Sequence, residues 1–321
     1  CDAAGALLER HEVAAWAEAS FPVVLVDEAQ DLGPERLRMI RALSSRSAVL
    51  VAADEFQCLD SNLRPNPSVA WLRGACQPEV LDVVRRTEVG DLLAAARAIR
   101  QGQAPRNAQR FRLMSAPSVH VAAAMLANGI AWRNGGNVAI ITPSLSGNFV
   151  QDVVANVTKR ACGRHGNGPW PISWDRSERD ELQAAIADFE MAEQASVAAT
   201  IAALNRLPAT FAIRRSTAWV HRQVRTRGAA SFRRADIFEV IGRNLSQARQ
   251  RGSHTEAAFT AMTVQQAKNR EFDGVFVLWP YQVGGDDEHK RRLLYNAVTR
   301  ARRWCTVVVQ GREVPRNAPF S

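Results

Sequence analysis

Val23-Val24-Leu25-Val26-Asp27-Glu28-Ala29-Gln30-Asp31 is the stretch on which the fold turns. Four apolar residues, three of them β-branched, read as a short strand buried on both faces, the pattern of a parallel sheet. The strand ends in two adjacent carboxylates, Asp27 and Glu28. In open α/β sheets the carboxyl ends of the strands form the ligand edge. One acid there suits a hydrated cation, and a second suits the polarisation of a water. Alone, an apolar run ending in Asp-Glu is equally an acidic turn, so the neighbouring segments decide.

Upstream, residues 3–19 have helical spacing before Phe21-Pro22 breaks into the strand. Downstream, Leu32-Gly33-Pro34 forms a turn, with Pro34 suited to a helix first turn. A helix over Glu35 to Leu43 follows, burying Leu37 and Ile40. A second buried strand, Ala48 to Ala53, ends at Asp54-Glu55-Phe56-Gln57. Strand–helix–strand with polar groups at each strand end is the pattern of a doubly wound α/β sheet. Further on, Val80 to Thr87 reads as a strand running into a helix over Val89 to Ile99, with Thr87 as its N-cap. Val119 to Leu126 reads as a helix and Asn137 to Thr142 as another buried strand. From 149 to 254 Ala- and Arg-rich stretches, among them Asp180–Ile201 and Ala235–Arg251, predict a mostly helical insertion. The α/β pattern then resumes with strands at Phe259 to Val264 and Gly274 to Leu278. A helix over Arg291 to Arg302 and a closing strand from Trp304 to Val309 complete it.

The net charge of +9 and a pI near 10.1 favour a polyanionic partner. Lys occurs only at Lys159, Lys268 and Lys290, so the positive charge is almost all Arg; Arg suits bidentate phosphate contacts, but a GC-rich genome accounts better for Arg in place of Lys. Cys1, Cys58, Cys76, Cys162 and Cys305 form no CxxC pair, and His11-Glu12 lacks the second His of HExxH, so no zinc site or disulfide framework is expected. No apolar run approaches a membrane span, and no signal peptide is visible, which points to a cytoplasmic chain. A first residue that is Cys rather than Met points to a processed or partial sequence.

Asp27 to Asp31 resembles the DEAQD form of the Walker B motif in superfamily 1 DNA helicases of the UvrD/Rep type, and later stretches carry the same resemblance in order. Ala53 to Gln57 resembles motif III, and Leu81 to Thr87 resembles motif IV, with Val84 and Arg85 departing from its usual Asn and Tyr. Thr263 to Asp273 resembles motif V, with Gln265 in place of a His and Asn269 in place of a Gly. Asn tolerates positive φ better than most residues, so that turn survives. Leu293 to Arg302 is very close to motif VI. The resemblance implies two RecA-like lobes of the P-loop NTPase class, the first truncated at its N-terminal side and the second carrying the helical insertion. It implies ATP and Mg²⁺ as cofactors, Asp27 as the metal-holding acid and Glu28 as the activator of the hydrolytic water. Gln57, Arg86 and Arg300 would contact the γ-phosphate, Arg300 as the arginine finger, and Glu271 the ribose and phosphate side. Single-stranded or partly duplex DNA is the implied partner, touched by Thr263, Gln265 and Trp71. Trp71 is alternatively a core residue.

The P-loop pattern Gly-x4-Gly-Lys-Ser/Thr is missing, since Thr158, Ala267 and His289 precede the three lysines. The resemblance covers about 1–150 and 255–321. The expected division is 1–80 for the first lobe, 81–148 with 255–321 for the second, and 149–254 for the insertion, which would meet a protein partner. The expected activity is ATP-driven movement on single-stranded DNA, carried out by a longer protein of which this is a part. A non-hydrolysing nucleic-acid-binding adaptor, or a subunit whose P-loop comes from a partner chain, stays open beside it.

Overall fold

A computed structural model describes residues 2–81, 86–133, 136–175, 178–250 and 258–321. The chain forms two compact units, Cys1–Trp170 with Thr263–Ser321, and Pro171–Met262. In chain order the first unit opens with helices α1 (Asp2–Leu8) and α2 (His11–Ser20). Strand β1 (Val23–Val26), helix α3 (Pro34–Ser44), strand β2 (Ala48–Val51) and helix α4 (Pro67–Ala75) follow. Next come α5 (Gly90–Arg100), β3 (Phe111–Ala116), α6 (Val119–Trp132), β4 (Val138–Thr142) and α7 (Phe149–Lys159). The second unit holds β5 (Ile172–Trp174), α8 (Glu178–Ala185), β6 (Gln194–Ser196), α9 (Val197–Arg206), α10 (Phe211–Arg227), β7 (Ser231–Arg233), α11 (Arg234–Gln250) and all but the last residue of β8 (Phe259–Thr263). The chain ends with β9 (Phe272–Trp279), α12 (Asp287–Val298) and β10 (Ala301–Gln310).

The first unit's main sheet is parallel, in the order β3-β10-β9-β4. Every residue of β4 is buried, as are Val275, Val277, Leu278, Val307 and Val308 of its neighbours. Near-continuous Val/Ile/Leu runs are what a sheet covered on both faces requires, and each such side chain contributes about 1.5–3 kcal/mol. Gly274 is where β9 meets the Trp304 ring of β10; a Cβ there would lie 2.1 Å from the indole. Gly129 does the same for Phe276, whose ring meets Trp304 edge to face at 5.1 Å. Ser118 caps α6 and Asp286 caps α12 through their side chains. The second unit buries Phe189, Leu204, Ile213, Val220, Phe232, Ile237 and Ile241 between α9, α10 and α11, with β6–β7 antiparallel and β5–β8 parallel. Among the described residues no helix is long and apolar enough to cross a membrane.

The alternation of strands and helices around a parallel sheet is the α/β architecture read from the sequence, but several elements differ from expectation. Among the described residues β1 and β2 pair only with each other, and they are not buried on both faces: Val23, Leu25 and Leu50 are 56%, 76% and 58% exposed. A two-stranded sheet with α3 on one side leaves its other face to solvent. Residues 3–19 break into two helices at Glu9-Arg10, and Asp180–Ile201 breaks around β6. The helix expected over Arg291 to Arg302 stops at Val298, because from Ala301 the backbone pairs with β9. Thr87 is not the N-cap of α5, which is Val89; its hydroxyl instead accepts from the Val89 N–H and donates to the Arg302 carbonyl. β3 was not foreseen. α7 falls in the first unit, and the second begins at Pro171, later than the change in composition at 149. The expected strand from Val80 to Thr87, with Val84 and Arg85, lies largely outside the described residues.

Candidate functional site

The first unit gathers the ends of several elements at one place, beginning with β1. Asp27 is exposed beyond the strand, and its Oδ1 accepts from the Glu28 N–H at 2.8 Å. Glu28 sits in the left-handed region (φ 53°), a conformation that costs an L-residue roughly 1–2 kcal/mol. It is followed by one 3-10 turn, Ala29–Asp31. Gln30, fully buried, holds this turn: its Nε2 donates to Glu28 Oε2, and its Oε1 accepts from the Asp54 N–H at 3.0 Å. The Asn66 amide caps the Gln30 carbonyl at 2.8 Å. A single buried amide thus ties the end of β1 to the end of β2.

Beyond β2, Asp54 caps a second 3-10 turn, Glu55–Gln57, through the Phe56 N–H. The Gln57 amide is used at both ends, donating to Asp54 Oδ2 at 3.1 Å and accepting from Arg300 Nη2 at 3.0 Å. Arg300 follows α12 and is 2% exposed, with its Nε on the Asn296 carbonyl. Burial pushes its guanidinium down to about 10, and repulsion from Arg86 adds to this while Glu28 and Glu271 oppose it. It keeps its charge at neutral pH. A buried arginine that is only partly compensated is poised to meet an anion.

Arg86 and Glu271 pair directly, Nε to Oε1 at 2.7 Å, and Arg86 also donates to the Thr299 carbonyl. Arg302 takes the other carboxylate oxygen of Glu271 at 2.8 Å. Burial alone would raise the Glu271 pKa; the hydrogen bonds from Arg86 and Arg302 outweigh it and hold the carboxyl below its usual value. Asn269 adopts φ 59°, the left-handed conformation that its place in the turn demands. Thr263 and Gln266 bond reciprocally across that turn, and Gln265 is exposed on it.

The structure therefore brings Gln57 to Arg300 and Arg86 to Glu271, with Glu28 close enough to influence Arg300. Thr263 and Gln265 share one turn. Trp71 stands apart from that turn on α4, half-buried, with the Arg41 guanidinium 5.7 Å from its ring centre.

Four residues that sequence reasoning left without a role complete the cluster. Gln30 is one. Lys268 reaches Asp31 at 2.6 Å and so links the turn after β8 to the turn after β1. Arg100, at the end of α5, grips Asp54 with both nitrogens at 2.8 and 2.9 Å and lies over the Phe56 and Tyr295 rings. Arg292, nearly buried, covers Phe56 and donates to the Cys58 and Glu55 carbonyls. Its signal was present, since Arg292, Asn296 and Arg300 recur every fourth residue and so share one face. A cavity of about 530 Å³, lined by residues such as Leu37, Arg38 and Pro67, contains none of these side chains; the cluster is assembled at element ends rather than in an enclosed pocket.

Residues 258–308 match the UvrD-like helicase C-terminal domain. The C-terminal domain of a possible DNA helicase from Lactobacillus plantarum WCFS1 is similar at 13% identity, over 74% of this chain and 95% of that one, with a TM-score of 0.37. No curated protein matches.

Proposed function

For a chain that carries a UvrD-like helicase C-terminal segment at 258–308, we propose a part in ATP-driven movement along single-stranded DNA, with two RecA-like lobes meeting at the residue cluster above. The observation that carries this reading is the Gln57–Arg300 hydrogen bond. It joins two segments 243 residues apart in sequence, one at a strand end beside paired carboxylates, the other a buried arginine. The composition of the cluster fits Mg²⁺–ATP. Asp27 is an exposed carboxylate with no ion pair among the described residues, as a cation that keeps most of its waters requires. ATP brings a transferable γ-phosphoryl group whose charge must be stabilised as it departs.

In this proposal Asp27 would hold Mg²⁺, and Glu28, aimed by Gln30, would orient the attacking water and accept its proton. Arg300 stabilises the charge that grows on the phosphoryl oxygens, and Gln57 reports it to the end of β2. Arg86 and Glu271, paired at 2.7 Å, would face the phosphates and the ribose side of the nucleotide. Thr263, Gln265 and Trp71 meet the DNA strand. The 321 residues contain no P-loop, so they supply the water-activating and charge-stabilising half of a site. The same fact favours a second reading, a nucleic-acid-binding adaptor that does not hydrolyse ATP.

Residues 1–321 should bind labelled DNA with an affinity that falls steeply with salt, and should hydrolyse ATP negligibly. Anisotropy titrations and a phosphate-release assay test both. Absence of DNA binding would overturn the proposal, and robust hydrolysis abolished by Glu28→Gln would overturn the half-site assignment.

A further inference from the structure

The segment that joins β2 to α4 is held against α12 at two heights. Arg292 takes the Glu55 and Cys58 carbonyls, and one turn earlier His289 meets Arg64. Residues three apart share a helix face, so both grips belong to one side of α12. Arg64 Nη2 donates to His289 Nδ1 at 3.1 Å, and Arg64 Nη1 lies 3.4 Å from Asp286 Oδ1. Among the described residues these two contacts are what hold the guanidinium, since its Nε is buried with no partner. Asp286 also accepts from the His289 backbone N–H at 2.7 Å. The imidazole is half-buried and closely seated: a Cβ on Gly285 would stand 2.5 Å from it.

We propose that His289 is a pH-sensitive latch, which closes the segment from Leu59 to Asn66 onto α12 when neutral and releases it when protonated. A guanidinium only donates, so the contact requires a lone pair on Nδ1 and places the ring's one proton on Nε2. A second proton goes to Nδ1 and turns the acceptor into a donor that faces a permanent cation. The charged groups facing the ring are Arg64 from the segment, and Asp286 and Arg292 from its own helix. Glu288 is taken by Arg292 at 2.5 Å. Burial holds the imidazole below its usual pKa, with Arg64 and Arg292 adding to this and Asp286 opposing it. The folded value thus lies below the unfolded one, about 6.5. The latch's contribution is complete above that unfolded value and is lost as pH falls through the folded one. The release has a route to the site. Asn66, at the far end of the segment, caps the Gln30 carbonyl, and Gln30 aims Glu28. Mild acid therefore loosens the end of β1, whatever the cluster binds.

The test uses the full chain, His289→Gln, whose amide oxygen accepts at any pH, and Arg64→Met, which removes the donor. Ring signals of the six histidines are followed by NMR across pH, with that of His289 identified by its absence from His289→Gln. Amide hydrogen exchange of residues 59–66, corrected for the intrinsic rate, is read by mass spectrometry at about pH 7.5 and about pH 5.5, on either side of the histidine range. The expected result is that His289 titrates below the ordinary histidine value, and that Arg64→Met moves it upward. Protection of 59–66 should fall severalfold in acid in the unaltered chain and hold in His289→Gln. Titration of His289 at or above the ordinary value would overturn the proposal, as would a titration that Arg64→Met leaves in place. An equal loss of protection in acid in His289→Gln would do the same. If His289→Gln melts early, selective ring labelling with Arg64→Met alone decides, because a merely structural contact would leave the titration of His289 where it was.

Discussion

Single residues hold this structure at places where ordinary backbone or charge rules are broken. Asn269 occupies a left-handed position in the turn after β8. Asn269→Gly should leave stability within a few tenths of a kcal/mol or raise it, whereas Asn269→Val should cost about 1–2 kcal/mol or more. Urea midpoints of the two variants decide this. Glu271 illustrates the electrostatic case. Its folded pKa lies below the ordinary glutamate value, so its contribution is complete above that ordinary value and is lost as pH falls through the folded one. Glu271→Gln should therefore lower stability at neutral pH by about 1 kcal/mol, the pair being partly solvated. The difference from the unaltered chain should vanish on the acid side of the carboxylate range. A difference that persists in acid would mean that shape, not charge, matters at this position.

Between elements, the decisive object is the Glu55–Gln57 turn, held from two sides. Arg100 reaches it from α5 and Arg292 from α12, each with its guanidinium over the Phe56 ring. Arg100→Met keeps the stem and removes the fork on Asp54, which should cost about 1–2 kcal/mol. A double-mutant cycle with Asp54→Asn should return most of that as coupling; additive losses would show that the fork is incidental. The strand ends that take part were legible in the sequence, because a short apolar run followed by acids or amides is how a strand opening onto a polar edge is written. Gln57, Arg86, Glu271 and Arg300 could be chosen by motif. Arg100 could not, since it belongs to no pattern and its partner lies 46 positions away. β3 escaped notice because Phe111-Arg112-Leu113-Met114-Ser115-Ala116 mixes polar and apolar residues, as an edge strand allows. The end of α12 was misread on other grounds. Arg300 to Arg303 have good helix propensity, and strand pairing overrode it.

At the level of the whole molecule, the parallel α/β sheet followed from composition and alternation alone, and the unit boundaries did not. Composition shifts at 149, but α7 packs on α6 and keeps the first unit going to Trp170. Local texture reports secondary structure, while a boundary is set by which faces find partners. The sheet of β1 and β2 is where that distinction has a cost. Its register sets Val23 beside Ala48 and Leu25 beside Leu50 on the open face. Two opposing terms then govern how copies of the chain meet in solution. A charge of +9 keeps them apart, and the open face draws them together. Salt shortens the first, from a screening length of about 10 Å at 0.1 M to about 3 Å at 1 M, and leaves the second in place. The osmotic second virial coefficient from light scattering should accordingly pass from positive to negative as salt is added, and Leu25→Lys should keep it positive throughout.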